Sequence, residues 1–219
     1  MKIIAGERRG MNLFSPKGNS TRPITARVKE SIFNILNNAY AMPQDCKVAD
    51  VFSGTGSFGL EAISRGAAEA TFVELSREVV DILNKNIEKA KFEGRSRVVR
   101  GDAFKIGAPV VPGQGLYDLA FVDPPYPLTQ NAGANSKLGK LLLVMNSQMR
   151  SGAIVLVRTH CKSVLDNSYG NLKVIEKRTW GNMTETFLQL CDEQFELETD
   201  VDDLLTQADT GQQPQDYDE

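Results

Sequence analysis

The chain has 219 residues, enough for one domain with a sizeable core, and 41% of them are hydrophobic. No apolar run approaches the ~18 residues that cross a bilayer, so a helical membrane protein is not expected. The formal net charge of −3 hides an uneven distribution: 11 acidic residues and no Lys or Arg lie from Asp192 onward, leaving 25 basic against 17 acidic residues before it, a net of +8.

A basic body attracts polyanions, and nucleic acid is the commonest such partner, although charges scattered over a solvated surface are the plainer alternative. Met1 to Gly6 is too short for a signal peptide before Glu7-Arg8-Arg9 interrupts it. Cys46, Cys161 and Cys191 lie far apart and give neither a disulfide framework nor a zinc spacing. A reducing, cytoplasmic location without membrane contact is therefore expected.

Residues 1 to 45 read as a basic N-terminal extension. Short strands are expected at Lys2 to Gly6 and Met11 to Phe14, joined through Arg8-Arg9-Gly10. Thr25 is a candidate N-cap, and Val28, Ile32, Ile35, Leu36 and Ala39 recur at helical spacing, so an amphipathic helix is predicted over 26 to 40. Residues 1 to 37 carry seven basic against two acidic residues, which places most of the body's excess charge here. Arg8, Arg9, Arg22, Arg27 and Lys29 are the candidate phosphate contacts.

Residues 46 to 191 alternate strand and helix. Strands are predicted at 48–52, 70–74, 97–100, 117–122 and 153–157, with helices through Phe58 to Ile63, Val79 to Ala90 and Leu138 to Met149. Residues 172–179 and 184–190 then read as an antiparallel hairpin about Gly181-Asn182. The expected fold is α/β and Rossmann-like: a seven-stranded, mostly parallel sheet with a C-terminal antiparallel hairpin, and ligands at the carboxyl ends of the strands. Residues 192 to 219 read as an acidic, disordered tail.

The stretch Asp50-Val51-Phe52-Ser53-Gly54-Thr55-Gly56-Ser57-Phe58-Gly59 runs from a strand end through a glycine turn into a helix. Its G-x-G-x-x-G spacing permits close approach of a cofactor without saying which. A carboxylate at Asp50 would oppose a dinucleotide's diphosphate, whereas it suits a cofactor that presents positive charge; capping the loop is its structural alternative. S-adenosylmethionine carries an ammonium and a sulfonium and no phosphate. Glu74, at the next strand end, can accept from ribose hydroxyls. Asp102 can accept from an adenine amino group, with Ala103 or Phe104 against the ring. The expected cofactor set is Asp50, Phe52, Gly54, Thr55, Gly56, Gly59, Glu74, Asp102, Ala103 and Asp123.

Asp123-Pro124-Pro125-Tyr126 ends the fourth strand beside the same crevice. Two prolines fix the backbone and remove N–H donors, leaving carbonyls to accept. The Asp123 carboxylate and the Pro124 carbonyl can take both hydrogens of an exocyclic amino group while a base stacks on Tyr126. That geometry frees the amino lone pair for an in-line methyl transfer, helped by positioning and electrostatics and calling for no metal. His160, the single histidine, is expected to be structural.

With these residues in hand, the chain resembles the bacterial small-subunit ribosomal RNA guanine-N2 methyltransferases, a family of class I S-adenosylmethionine-dependent enzymes. The likeness covers roughly residues 1 to 190. It rests on Ile3-Ile4-Ala5-Gly6 with Arg8-Arg9-Gly10, on Arg22-Pro23-Ile24-Thr25-Ala26-Arg27-Val28-Lys29-Glu30, on the glycine turn, Glu74 and Asp102, and on the Asp-Pro-Pro-Tyr motif. Many amino methyltransferases share the last motif, so it gives the reaction and not the base. The N-terminal segment selects the family. The resemblance implies a guanine N2 target in ribosomal RNA, with the N-terminal arm gripping RNA and the sheet carrying the cofactor. Free RNA and a partly assembled small subunit both stay open as the substrate, and a monomer is expected. Ile24 and Ala26 depart from the polar residues often found there, and the acidic tail lies outside the pattern. The rival readings are an adenine-N6 or cytosine-N4 amino methyltransferase, a non-catalytic RNA-binding protein, and a nicotinamide-dependent oxidoreductase.

Overall fold

A computed structural model describes residues 1–16, 24–40 and 44–192. Arg22, Pro23 and the acidic tail beyond Asp192 lie outside the described residues. Five helices of α type are present among the described residues: α1 (Ala26–Ala39), α2 (Ser57–Ser64), α3 (Arg77–Ala90), α4 (Ala103–Ile106) and α5 (Lys137–Met145). The strands are β1 (Lys47–Val51), β2 (Glu69–Glu74), β3 (Ser96–Arg100), β4 (Tyr117–Val122), β5 (Met149–His160), β6 (Ser168–Tyr169), β7 (Leu172–Trp180) and β8 (Met183–Leu190).

They form one sheet in the order β3-β2-β1-β4-β5-β8-β7-β6. The first five in that order run parallel, and β8, β7 and β6 are antiparallel. Helices cover both faces, which is why β1 and β4 read as nearly unbroken apolar runs. On one face Val48, Phe72, Phe121, Leu156 and Phe187 pack with residues of α1, α2 and α3. On the other, Ala49, Val73, Ala120, Val155 and Leu188 pack with α4 and α5.

The Rossmann-like expectation holds, with differences of detail. The sheet has an eighth strand, because Ser168-Tyr169 pairs with Leu172-Lys173 ahead of the expected hairpin. The predicted helix over 138–149 stops at Met145, since Met149 pairs with Tyr117 and opens β5. The N-terminal hairpin is reduced to one antiparallel bridge, Lys2 with Asn12, around a 3-10 turn at Gly6–Arg8.

That last difference has an electrostatic cause. The arm's amides at Ile4 and Ala5 donate to the Glu61 carboxylate on α2, at 2.7 and 3.0 Å, instead of to a neighbouring strand. Glu61 is completely buried. It also receives the Lys29 ammonium at 3.0 Å and the Arg65 guanidinium at 2.7 Å. Lys29 Nζ donates in addition to the Lys2 carbonyl (2.9 Å) and the Ser57 carbonyl (3.3 Å).

One candidate RNA contact is corrected by this arrangement. Lys29 is only 2% exposed, and its charge is spent on holding the arm to the body, so it has no surface to offer a phosphate. Burial lowers its pKa, with Glu61 opposing that shift. Arg8 is partly committed: its Nε donates to the Ala90 carbonyl at 2.6 Å, and its guanidinium lies over Phe92. Arg9 and Arg27 are exposed.

Removing one side of a buried ion pair leaves the other uncompensated. Glu61→Ala is therefore expected to cost ~3–5 kcal/mol of folding stability, read as a lower urea midpoint.

Candidate functional site

Strand register places five charged residues on one face of the sheet, at the carboxyl end of its parallel strands. Asp50 pairs with Phe72 and Phe121; Glu74, two residues further along β2, and Asp123, the residue after β4 whose amide continues the ladder to Val51, follow it on that side. Phe121 pairs with Leu156, which carries the same face to Arg158, and Arg158 pairs with Glu185. Glu74, Asp50, Asp123, Arg158 and Glu185 therefore file across five adjacent strands, β2-β1-β4-β5-β8. Four acids and one base thus line this side of the crevice.

Asp50 is 1% exposed, and its Oδ2 accepts from the Gly59 amide at 2.8 Å. Gly59 is the third residue of α2, and the helix's own N-cap is Gly56, which has no side chain to offer. Asp50 thus caps α2 from a neighbouring strand, satisfying an amide that the helix cannot. Gly59 allows the helix to sit this close: a Cβ there would lie 2.3 Å from the Phe72 ring. The turn itself is left-handed at Phe52, Gly54 and Gly56. For Asp50 the structure displays the loop-capping role, and its charge still lies beneath the crevice.

Glu74 closes the turn from the other side, with Oε2 accepting from the Gly54 amide at 3.0 Å and Oε1 from the Ser76 amide at 2.9 Å. Each oxygen keeps a further lone pair for a hydroxyl. Asp102 caps α4 by accepting from the Phe104 amide at 3.0 Å, which leaves its second oxygen outside that bond. The rings of Phe104 and Phe52 meet edge to face at 4.9 Å, beside Ala103. Ser53 Oγ and Thr55 Oγ1 are buried in the turn without a hydrogen-bond partner. Orphaned hydroxyls, free carboxylate lone pairs and an aromatic corner fit a ligand with a cationic amino acid end, a ribose and an adenine. A diphosphate would meet Asp50, Glu74, Asp102 and Asp123 at or just beyond the ends of β1 to β4.

Asp123 continues the β1–β4 ladder, its amide donating to the Val51 carbonyl at 3.1 Å. Its two carboxylate oxygens receive Arg158 Nε and Nη2 as a fork. Burial raises the Asp123 pKa, with Arg158 pulling it back, and Arg158 in turn is held charged by Asp123 and Glu185 against its own burial. The Pro125 carbonyl accepts from the Leu128 amide at 2.9 Å, whereas the Pro124 carbonyl has no such partner among the described residues. Tyr126 opens a 3-10 turn, Tyr126–Thr129, and meets the His160 ring edge to face at 5.8 Å. The lone histidine thus steadies the tyrosine of the motif.

Arg158 and Glu185 are the site residues that sequence reasoning passed over. Arg158 lies at the end of an otherwise apolar strand run, a signal that could have found it. Glu185 alternates with threonines in a hairpin strand and gives no such signal. Burial pushes Glu185 up to about 8, Arg158 pulling down and Asp123 adding to the rise.

A parallel sheet with a glycine turn, acids at successive strand ends and an Asp-Pro-Pro-Tyr after β4 defines a Rossmann-like class I methyltransferase. The family profile described as "Conserved hypothetical protein 95" matches residues 1–189, and the chain belongs to that family. It is 30% identical over 83% of its length to a Bacillus subtilis protein named as an rRNA methyltransferase, covering 94% of that protein. It is 33% identical to the ribosomal RNA small subunit methyltransferase D of Haemophilus influenzae, over 73% of this chain and 78% of that one. A solved Escherichia coli structure named as a methyltransferase superposes with a TM-score of 0.71 at 29% identity, over 87% of this chain and 98% of the other.

Burial pushes the Asp50 carboxyl up to about 7 from 3.8, against the pull of the Gly59 amide. The native state then keeps a proton that the unfolded chain releases between about pH 4 and 7, so this group's contribution to stability falls as pH rises through that window. Asp50→Asn cannot ionise, and its amide oxygen can still accept from Gly59. Urea unfolding across pH should show the variant gaining on the wild type from about pH 4 to 7, with a constant difference above.

Proposed function

We propose that the protein transfers a methyl group from S-adenosylmethionine to the exocyclic N2 of a guanine in small-subunit ribosomal RNA. The relatives named for ribosomal RNA methylation support the substrate class. The acids at successive strand ends, the orphaned turn hydroxyls and a glycine turn whose residues 50–59 carry no Lys or Arg support the cofactor. That cofactor supplies a methyl group on a cationic sulfur. Asp50 and Glu74 hold the turn in shape, Glu74 and Asp102 offer acceptors to ribose and adenine, and the aromatic corner at Phe52 and Phe104 takes the ring.

The Asp123–Arg158 fork carries the choice of base. Asp123 accepts two parallel N–H donors lying in one plane. Guanine offers that pattern, since its N1–H stands beside its N2 amino group. Adenine and cytosine place a bare ring nitrogen beside the amino group, and its lone pair would face the carboxylate. Asp123 therefore suits guanine, with the Pro124 carbonyl taking the remaining N2 hydrogen. Two acceptors on the amino hydrogens turn the lone pair toward the incoming methyl carbon, and Asp123 is placed to receive the proton that N2 then gives up. Tyr126, braced by His160, offers its face to a base drawn out of the RNA.

The N-terminal extension, residues 1 to 45, is the RNA-gripping part on this reading, through Arg9 and Arg27 on the exposed side of the arm and α1. A monomer suffices for it.

Two expectations test the proposal. Asp123→Asn replaces one acceptor by a donor and should lower guanine methylation about a hundredfold while cofactor affinity holds, with N2-methylguanosine read by mass spectrometry of RNA digests. Reversing Arg9 and Arg27 to Glu should weaken RNA binding and flatten its salt dependence by about two phosphate contacts, leaving cofactor affinity intact. Unchanged methylation in the first variant would remove Asp123 from the reaction.

A further inference from the structure

The guanidinium of Arg158 occupies both carboxylate oxygens that the proposed reaction needs for the base. Arg158 is largely buried, with its side chain 13% exposed, so on leaving Asp123 it requires another acceptor close by. Glu185 is directly across the β5–β8 ladder from Arg158 and is 2% exposed. Its Oε1 is buried without a hydrogen-bond partner. A buried carboxyl oxygen with nothing to accept from is a cost that a fold rarely leaves standing.

The other candidate partner is accounted for. Arg178 pairs with Glu185 across the β7–β8 ladder, but its Nε is bonded to Glu176 and its side chain is 57% exposed. Met183 Sδ lies 3.9 Å from Arg158 Nη1, and the Tyr126 phenol also acts on the guanidinium's charge. Asp123 and Glu185 are thus the two carboxylates flanking one guanidinium, one bonded to it and the other waiting.

We propose that Glu185 is a positioning residue that receives the Arg158 guanidinium when a guanine edge takes its place on Asp123. The inference rests on the proposed guanine methylation. In the resting protein Arg158 mimics the guanine edge, presenting two parallel N–H groups to Asp123, and so keeps the carboxylate oriented and the pocket closed to weaker donors. When the base enters, its N1–H and N2–H replace Nε–H and Nη2–H, and the displaced guanidinium turns to Glu185. Its approach favours the ionised form of that carboxyl. The exchange keeps a cation–carboxylate bond at both stages, so the buried charge is never left unpaired.

The test is a double-mutant cycle on the full chain, read by single-turnover methylation of small ribosomal subunits from cells lacking the gene, with calorimetry for cofactor affinity. Glu185→Gln should slow methylation about tenfold with cofactor affinity held within about twofold, and Glu185→Asp should restore part of the rate. In an Arg158→Leu background Glu185→Gln should have no further effect, because no guanidinium needs the second acceptor. A wild-type rate for Glu185→Gln, or the same loss in both backgrounds, would overturn the proposal. A second readout is independent of activity: weakening the first acceptor with Asp123→Asn should shift the Arg158 Nε–H nuclear magnetic resonance, and adding Glu185→Gln should shift it again. Indifference to the second change would likewise overturn it. No guanine methylation by the wild type would instead overturn the functional reading, and the resonance would still decide the exchange.

Discussion

One buried carboxylate holds the two parts of this molecule together. Glu61 is the sole charged residue in α2, a helix whose eight residues are all buried. A helix apolar on every side is normally enclosed by other elements, and here part of the enclosure is the N-terminal arm. The arm can lie there because Glu61 answers its backbone amides and the Lys29 ammonium together, while Arg65, stacked over Phe33 at 4.6 Å, completes the charge balance. Ile3 and Leu13 then join the same core as β1, β2 and β4. The arm is consequently part of the folded body, and its outward side alone is left to meet a partner.

The same helix links the arm to the chemistry. The glycine turn leads directly into it, its third amide is capped by Asp50, and Ser57 at its start touches Lys29. Whatever moves the arm pulls on the element that shapes the turn. The arm and the glycine turn are therefore joined by a continuous run of packed and hydrogen-bonded groups.

Across the sheet, four acids and one arginine stand where an apolar face would be cheaper. Burying carboxylates side by side raises their pKa values and costs stability, and Asp50 and Glu185 both carry that mark. The fold tolerates this at the carboxyl ends of its strands, where the ligands of such sheets bind. Most of these carboxylates are met by backbone amides or by Arg158, and Glu185 Oε1 is the one acid oxygen of the row left buried without a partner.

Period and punctuation alone determined the strands, the three longer helices of the body, the glycine turn and the Asp-Pro-Pro-Tyr motif, because each is written within a few consecutive residues. Short elements without a period escaped: α4 has four residues and β6 two. Tertiary structure decided what each charge does. Lys29 reads as one more cation in a basic run until burial against Glu61, distant in sequence, takes it out of solvent. Asp50 reads equally as a cofactor acid or a loop cap until its distance to Gly59 assigns the cap. Arg158 and Glu185 acquire meaning only once the order β1-β4-β5-β8 brings them beside Asp123. A residue's type fixes the charge it can carry, but burial and partners fix whether that charge faces water, a backbone amide or a substrate, and both are properties of the packed sheet.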